Sequence, residues 1–239
     1  MALPYGASIV HAAGQVFAAD QPANPWFSWQ YVKDNSADLQ TALQEHLVLT
    51  VEAVLIAMLV AFPLALLAFR FRWLATPLLG LTGILYTIPS LALFAFIYPL
   101  PGFGLSQRTV LFGLVIYALL VLVRNTLAGL DGVPDDVREA AQGMGYGRAR
   151  MLWKVELPVA LPTIMAGLRV ATVSTVALVT VGVIVGNGGL GNLIFRGFNS
   201  DYRAEIVTAS LLTVALGLAL DLVLALATRA LMPWSRSRA

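Results

Sequence analysis

Acidic side chains inside otherwise apolar stretches are the first residues here whose types and spacing could do chemistry. Glu52 and Asp221 are the only two, and each sits within a run of twenty or so residues of Leu, Val, Ala and Ile. An acid at such a depth faces a bundle interior or a wet cavity and pairs with something. Counted from the same ends of their segments at about 1.5 Å per residue, Asp221 and Arg169 reach similar depths. The count predicts a pair across the bundle; separate partners in a polar cavity are the other reading. Glu52 falls near a segment end, within reach of water. Ser174, Thr175 and Thr180 thread hydroxyls through another apolar run. They either line a path or let helices approach closely, since small hydroxyl residues do both. Tyr86 and Ser90 flank Pro89 and carry the same two readings. His11 and His46 lack metal-ligand spacing, so no metal site is expected. Without cysteine, disulfides and thiolate chemistry are excluded.

The elements that must hold these residues are membrane helices. Only 12% of the 239 residues are charged, against about 25% in soluble domains. A helix crossing a bilayer needs about 20 apolar residues. Five segments qualify: 47–69, 78–98 with Pro89 near its middle, 110–128, 163–185 and 206–231. Residues 46–232 are thus expected to form an all-α membrane domain, preceded by an extracytoplasmic tail, 1–45, and followed by a cytoplasmic tail, 233–239. No ten-residue alternation suggests a lipid-facing barrel. Arg70, Arg72, Arg124, Arg138, Arg148, Arg150, Lys154, Arg169, Arg229, Arg236 and Arg238 fall on one side; only Lys33, Arg108, Arg196 and Arg203 fall on the other. That bias predicts the N-terminus outside and the C-terminus in the cytoplasm. The five tryptophans sit near interfaces, as an aromatic belt would. The net charge of +2 gives no reason to expect a nucleic-acid partner.

The long segment 129–162 reads as a helix–turn–helix at the membrane surface. Pro134 suits a first turn, and Asp135 and Asp136 complement the helix dipole. Val137, Ala140, Ala141 and Met144 share one face. Gly143, Gly145 and Gly147 then break the helix, and an amphipathic stretch from Arg148 to Leu157 is stopped by Pro158 and Pro162. Such a segment either docks a partner or lies on anionic lipid through Arg148, Arg150 and Lys154.

Glu139-Ala140-Ala141, then Gly145, then Val155-Glu156-Leu157-Pro158 resembles the EAA loop of ABC importer permeases, E-A-A-x3-G-x9-I-x-L-P, with Val155 in place of Ile. Glu45-His46-Leu47, Thr87-Ile88-Pro89-Ser90-Leu91-Ala92 and Gly188-Gly189-Leu190-Gly191 are similar to the osmoprotectant branch, whose members import glycine betaine, choline, carnitine or proline-like solutes. The resemblance implies the type I importer permease core and a loop in which Glu139, Ala140, Ala141, Gly143, Gly145, Leu157 and Pro158 couple to a separate ATPase. It also implies a second permease, identical or homologous, and an extracytoplasmic substrate-binding protein. Asn187, Gly188, Gly189 and Gly191 would form an outer loop near that binding protein, or a plain connector.

The chain has no G-x-x-x-x-G-K-[ST], so ATP and magnesium are expected on the partner. Gly186 to Gly191 matches G-x-G-x-x-G but follows a membrane span, not a strand, so a dinucleotide is not expected. An intramembrane enzyme would need a second catalytic group beside Asp221. A permease for another small solute and an ion-coupled secondary transporter are the alternatives; the latter often shows inverted repeats, and none is visible here.

Overall fold

In lipid, every backbone polar group must be satisfied within the protein, which leaves helices as the economical solution for runs this apolar. A computed structural model describes residues 24–232, and among them there is no strand. The expectations for residues 1–23 and 233–239, including His11, Trp234, Arg236 and Arg238, lie outside the described residues.

The order is α1 (Trp29–Asp34), α2 (Ser36–Arg70), α3 (Arg72–Thr87), α4 (Ser90–Ile97), α5 (Gln107–Asp131), α6 (Asp135–Gly143), α7 (Arg148–Met151), a π-helical turn (Leu152–Glu156), α8 (Leu157–Val181), a 3-10 turn (Gly182–Val185), α9 (Leu190–Asn199) and α10 (Arg203–Leu231). Four stretches are long and apolar enough to cross a membrane: α2, α5, the continuous run Arg148–Val185, and α10. A fifth is obtained if the bent pair α3–α4 is counted as one span.

Three boundaries differ from the sequence reading. Residues 36–45 belong to a span rather than a tail: α2 already starts at Ser36, and Leu39, Ala42, His46 and Leu49 bury one face of it. The helical period simply continues through the polar residues on the other face. The second span, 78–98, is broken at Pro89 rather than continuous. Ile88 and Pro89 are both extended, at ψ 123° and 140°, and α3 and α4 meet at 99°. A residue preceding proline avoids the α region, and proline itself has no N–H to continue the ladder. The Tyr117 hydroxyl donates to the Ile88 carbonyl freed at the break. Third, Pro158 and Pro162 stop nothing. The π-helical turn just ahead widens the ladder where Pro158 can give no hydrogen bond, and the helix runs on through Pro162.

Packing follows residue size. Ala53, Ala57, Ala61, Ala65 and Ala68 form a fully buried stripe on α2, against which α5 and α8 lie; Ala57 and Ala61 share a cluster with Leu122, Val123 and Ala171. Small side chains matter here because lipid gives helices no hydrophobic reason to associate, so close van der Waals contact must. By contrast α10 is peripheral. Leu211, Leu222 and Leu226 stand exposed on it, facing lipid or another protein.

Candidate functional site

The end of the bundle that carries the α5–α8 connection is organised by Arg138. Its Nη1 donates to Asp135 Oδ1 (3.0 Å), its Nε to Glu156 Oε1 (3.2 Å) and its Nη2 to the Leu130 carbonyl (2.8 Å). The guanidinium also lies 5.8 Å from the Phe69 ring, which Arg72 approaches at 5.6 Å. Arg72 in turn pairs with Asp131 at 2.8 Å. One side chain thus ties α6 to the ends of α2, α5 and α8. Neither Arg138 nor the buried Glu156 stands out in the sequence, because eighteen residues separate them.

Above this hub, α6 presents Glu139, Ala140, Gly143 and Met144 outward; only Ala141 of the predicted apolar face is buried, with Val137 half-buried. The apolar face read from Val137, Ala140, Ala141 and Met144 is therefore only partly buried. Ala141 alone fills the available space, and Met144 is left 67% exposed. Gly145 adopts φ +79°, a left-handed conformation that residues with a Cβ avoid, and the Tyr146 N–H closes the turn on the Ala141 carbonyl at 3.1 Å. Arg150 stacks over the Tyr146 ring at 4.3 Å. Leu157 and Pro158 open α8 directly beneath, half-buried.

The opposite end is closed by the glycine turn. Gly188, Gly189 and Gly191 are buried, so they form a packed turn rather than a loose connector; Asn187 is half-exposed. A Cβ on Gly189, already at φ +52°, would lie 2.8 Å from His46 Cα, and one on Gly191 would strike the Thr180 backbone. The Gly188 N–H donates to Asn192 Oδ1 at 3.0 Å. His46 is fully buried with Nε2 2.9 Å from the Val176 carbonyl. A carbonyl only accepts, so Nε2 carries the proton. Beside the turn, Arg196 Nε donates to Glu205 at 2.6 Å, and Nη1 reaches Asp38 at 3.5 Å. The Glu205 bond holds the Arg196 guanidinium above its usual range. Burial, and then the Glu205 carboxylate, push the Tyr31 phenol up to about 12. Asp38, Arg196, Glu205 and Tyr31 were not singled out by sequence reading; they come from four helices.

Between the two ends lie two spaces. A cavity of about 390 Å³ forms at the α3–α4 break, lined by Tyr86, Pro89, Ser90, Tyr117, Ser174 and Thr175 among others. Tyr86 and Tyr117 meet edge to face at 5.9 Å. Five residues proposed from sequence for a path thus converge. Thr175 gives its hydroxyl to the Ala171 carbonyl at 2.7 Å and is buried, so it contributes wall rather than a free donor. Thr180 is not in this cavity; it bonds the Ala177 carbonyl at 2.7 Å and packs against the glycine turn. A larger groove, about 730 Å³, runs between α8 and α10 and contains Arg169 and Asp221. The structure brings these two together: Nε to Oδ1 and Nη2 to Oδ2, both 2.7 Å. Glu52 lies elsewhere, in a recess with Arg108 and Ser106. Among the described residues no cluster of three or more His, Cys, Asp or Glu could hold a metal.

Residues 53–237 match the family described as binding-protein-dependent transport system inner membrane component. The osmoprotectant import permease protein OsmW of Salmonella typhimurium is 36% identical over 197 residues, which is 81% of this chain and 92% of that one. The choline transport system permease protein OpuBB of Bacillus subtilis is 35% identical over 209 residues, 87% and 95% of the two chains. Among solved structures, the MetNI methionine ABC transporter in an inward-facing form superposes with a TM-score of 0.70 at 22% identity, over 81% of this chain and 95% of that one. An amino acid ABC transporter gives 0.69 at 18% identity, over 85% and 98%. These likenesses show the type I importer permease fold, and the chain is a membrane protein of the binding-protein-dependent transport family.

Proposed function

We propose that this chain is the permease subunit of an ATP-driven importer of compatible solutes such as glycine betaine, choline, carnitine or proline. The relatives named for osmoprotectant and choline transport, each matched over most of both chains, support the substrate class. The chain forms one wall of the path and holds no ATP; ATP and magnesium belong to two separate ATPase subunits. The 135–157 end faces the cytoplasm and the glycine turn faces outward, toward a substrate-binding protein. A second permease, identical or homologous, completes the enclosure.

One observation carries the coupling role: α6 stands outward with Glu139 and Met144 exposed while Arg138 locks its base to three spans. A helix placed only to connect α5 with α8 has no need of that hub. When the ATPases close on ATP, displacement of α6 reaches α2, α5 and α8 together, and the spans pass between inward-open and outward-open states. Pull-down of the detergent-solubilised protein, with Glu139→Arg and Gly145→Pro beside wild type, tests this. An ATPase recovered with wild type and lost from both variants supports the reading. Recovery that ignores both substitutions, or no ATPase at all, overturns it.

A further inference from the structure

The Arg169–Asp221 pair lies where charge is hardest to keep. Arg169 is the central residue of α8, and Asp221 is ten residues from the end of α10, about 18 and 15 Å from the basic end of the bundle at 1.5 Å per residue. The two side chains nevertheless retain 38% and 32% of their surface exposed. Charged groups at this depth face protein or a water-filled cavity, not lipid tails. The groove they open into is therefore screened from lipid tails, despite its Val and Leu lining. Its volume, about 730 Å³, sits within the 300–1,000 Å³ typical of small-molecule sites. Gly217, without a side chain, is part of its lining. Ser174 and Ala177 belong both to this groove and to the Tyr86–Tyr117 cavity, so the two spaces share a wall on α8.

The fork-to-fork geometry decides what could enter. The pair sums to zero charge and each partner satisfies the other. A cation entering alone must draw Asp221 away and leave a bare guanidinium in an apolar groove. An anion alone strands the carboxylate in the same way. A zwitterion replaces both halves at once, its carboxylate on the Arg169 fork and its ammonium against Asp221, and no charge is left unpartnered.

We propose that Arg169 and Asp221 form an exchangeable subsite for small zwitterions, solutes bearing both a carboxylate and an alkylated ammonium, in the groove between α8 and α10. The proposal rests on the compatible-solute reading above. It ranks glycine betaine, carnitine and proline-like solutes ahead of choline, which has no carboxylate for Arg169.

Because the chain has no cysteine, Ser174→Cys places a single thiol on the groove wall. Membranes from cells making the whole transport system are treated with a trimethylammonium-ethyl thiosulfonate or a sulfonatoethyl thiosulfonate, with and without glycine betaine or choline. Both reagents react, and glycine betaine slows them more than equal choline. In that background Asp221→Asn lowers the cationic-to-anionic rate ratio about tenfold and Arg169→Gln raises it about tenfold, the low end of field effects in a cleft. Uptake by the Arg169→Gln protein shifts toward choline.

An unreactive thiol means that lipid or a second copy fills the groove and overturns the proposal. So do rate ratios that stay fixed, or choline that protects as well as betaine. Should the single charge variants fail to accumulate, the exchanged protein, Arg169→Asp with Asp221→Arg, keeps the pair; loss of betaine protection in it overturns the subsite. Wild-type cells that take up neither solute overturn the compatible-solute reading itself, and the subsite with it. Uptake without the betaine preference removes only the subsite.

Discussion

The two ends of this bundle are joined by different physics. At the basic end, α6 is held by directional contacts converging on one guanidinium, and the surface above stays open. At the glycine end, closure comes from backbone pressed on backbone: Gly188 against Val183, Gly189 against His46, Gly191 against Thr180. An ion-pair hub tolerates small displacements, because its bonds lengthen and re-form. Interlocked main chain does not, since any shift becomes a clash. The contrast teaches which end can be moved by a partner and which serves as a fixed reference.

The sharpest way to break that contrast is to put side chains on glycines at each end. Gly191→Leu has no flexible neighbour to yield, only Thr180 main chain, and is expected to destabilise the protein by about 3 kcal/mol or more, the top of the overpacking range. Gly143→Ala, with nothing near its Cβ position, is expected to raise stability by about 0.5–1 kcal/mol through helix propensity. Thermal unfolding of the solubilised protein, followed by tryptophan emission, measures both. Equal losses would abolish the distinction between the two ends.

A smaller effect tests the hub. Arg138→Met leaves the Glu156 carboxylate, side chain 10% exposed, without its counter-charge, and is expected to cost about 2 kcal/mol. Adding Glu156→Met should recover most of that loss, as a double-mutant cycle would show. Asp135→Ala, at a side chain 89% exposed, should change stability by less than about 0.5 kcal/mol. A cycle with no coupling would mean that α6 is held by Ala141 packing alone.

An effect confined to alkaline pH tests the glycine end. The Tyr31 phenol holds its proton up to about 12 when folded, against about 10 when unfolded. Between those values the folded state binds more protons, so stability falls as pH rises through the window and is intact below it. Tyr31→Phe should flatten that fall. A wild-type profile already flat from pH 10 to 12 would place the phenol in water.

Much of this was legible before the structure. Long apolar runs announce helices whatever their tertiary setting, and the Arg169–Asp221 pair could be found by counting because both residues sit on regular helices of known rise. Irregular backbone defeated the counting. Nothing in Leu152–Glu156 signals a π-helical turn, so Pro158 and Pro162 read as stops. Pro89 read as the middle of one span because a right-angle break needs a partner for its freed carbonyl, and Tyr117 is twenty-nine residues from Ile88. Thr180 was grouped with Ser174 and Thr175 by type; six residues beyond Ser174 it has left the cavity and meets the glycine turn.

The unbroken helical run from Arg148 to Val185 has a mechanical consequence. Its 38 residues span about 57 Å at 1.5 Å per residue, one stiff shaft from the exposed end to the glycine turn. A shaft gripped firmly at its far end and loosely at its near end turns a sideways push into rotation about the grip. The residues displaced furthest are then those near Arg150 and least those near Val179, with Arg169 and Ser174 between them. Motion at mid-membrane is geared down from the surface, so a large stroke outside becomes a small, well-defined one beside the charge pair.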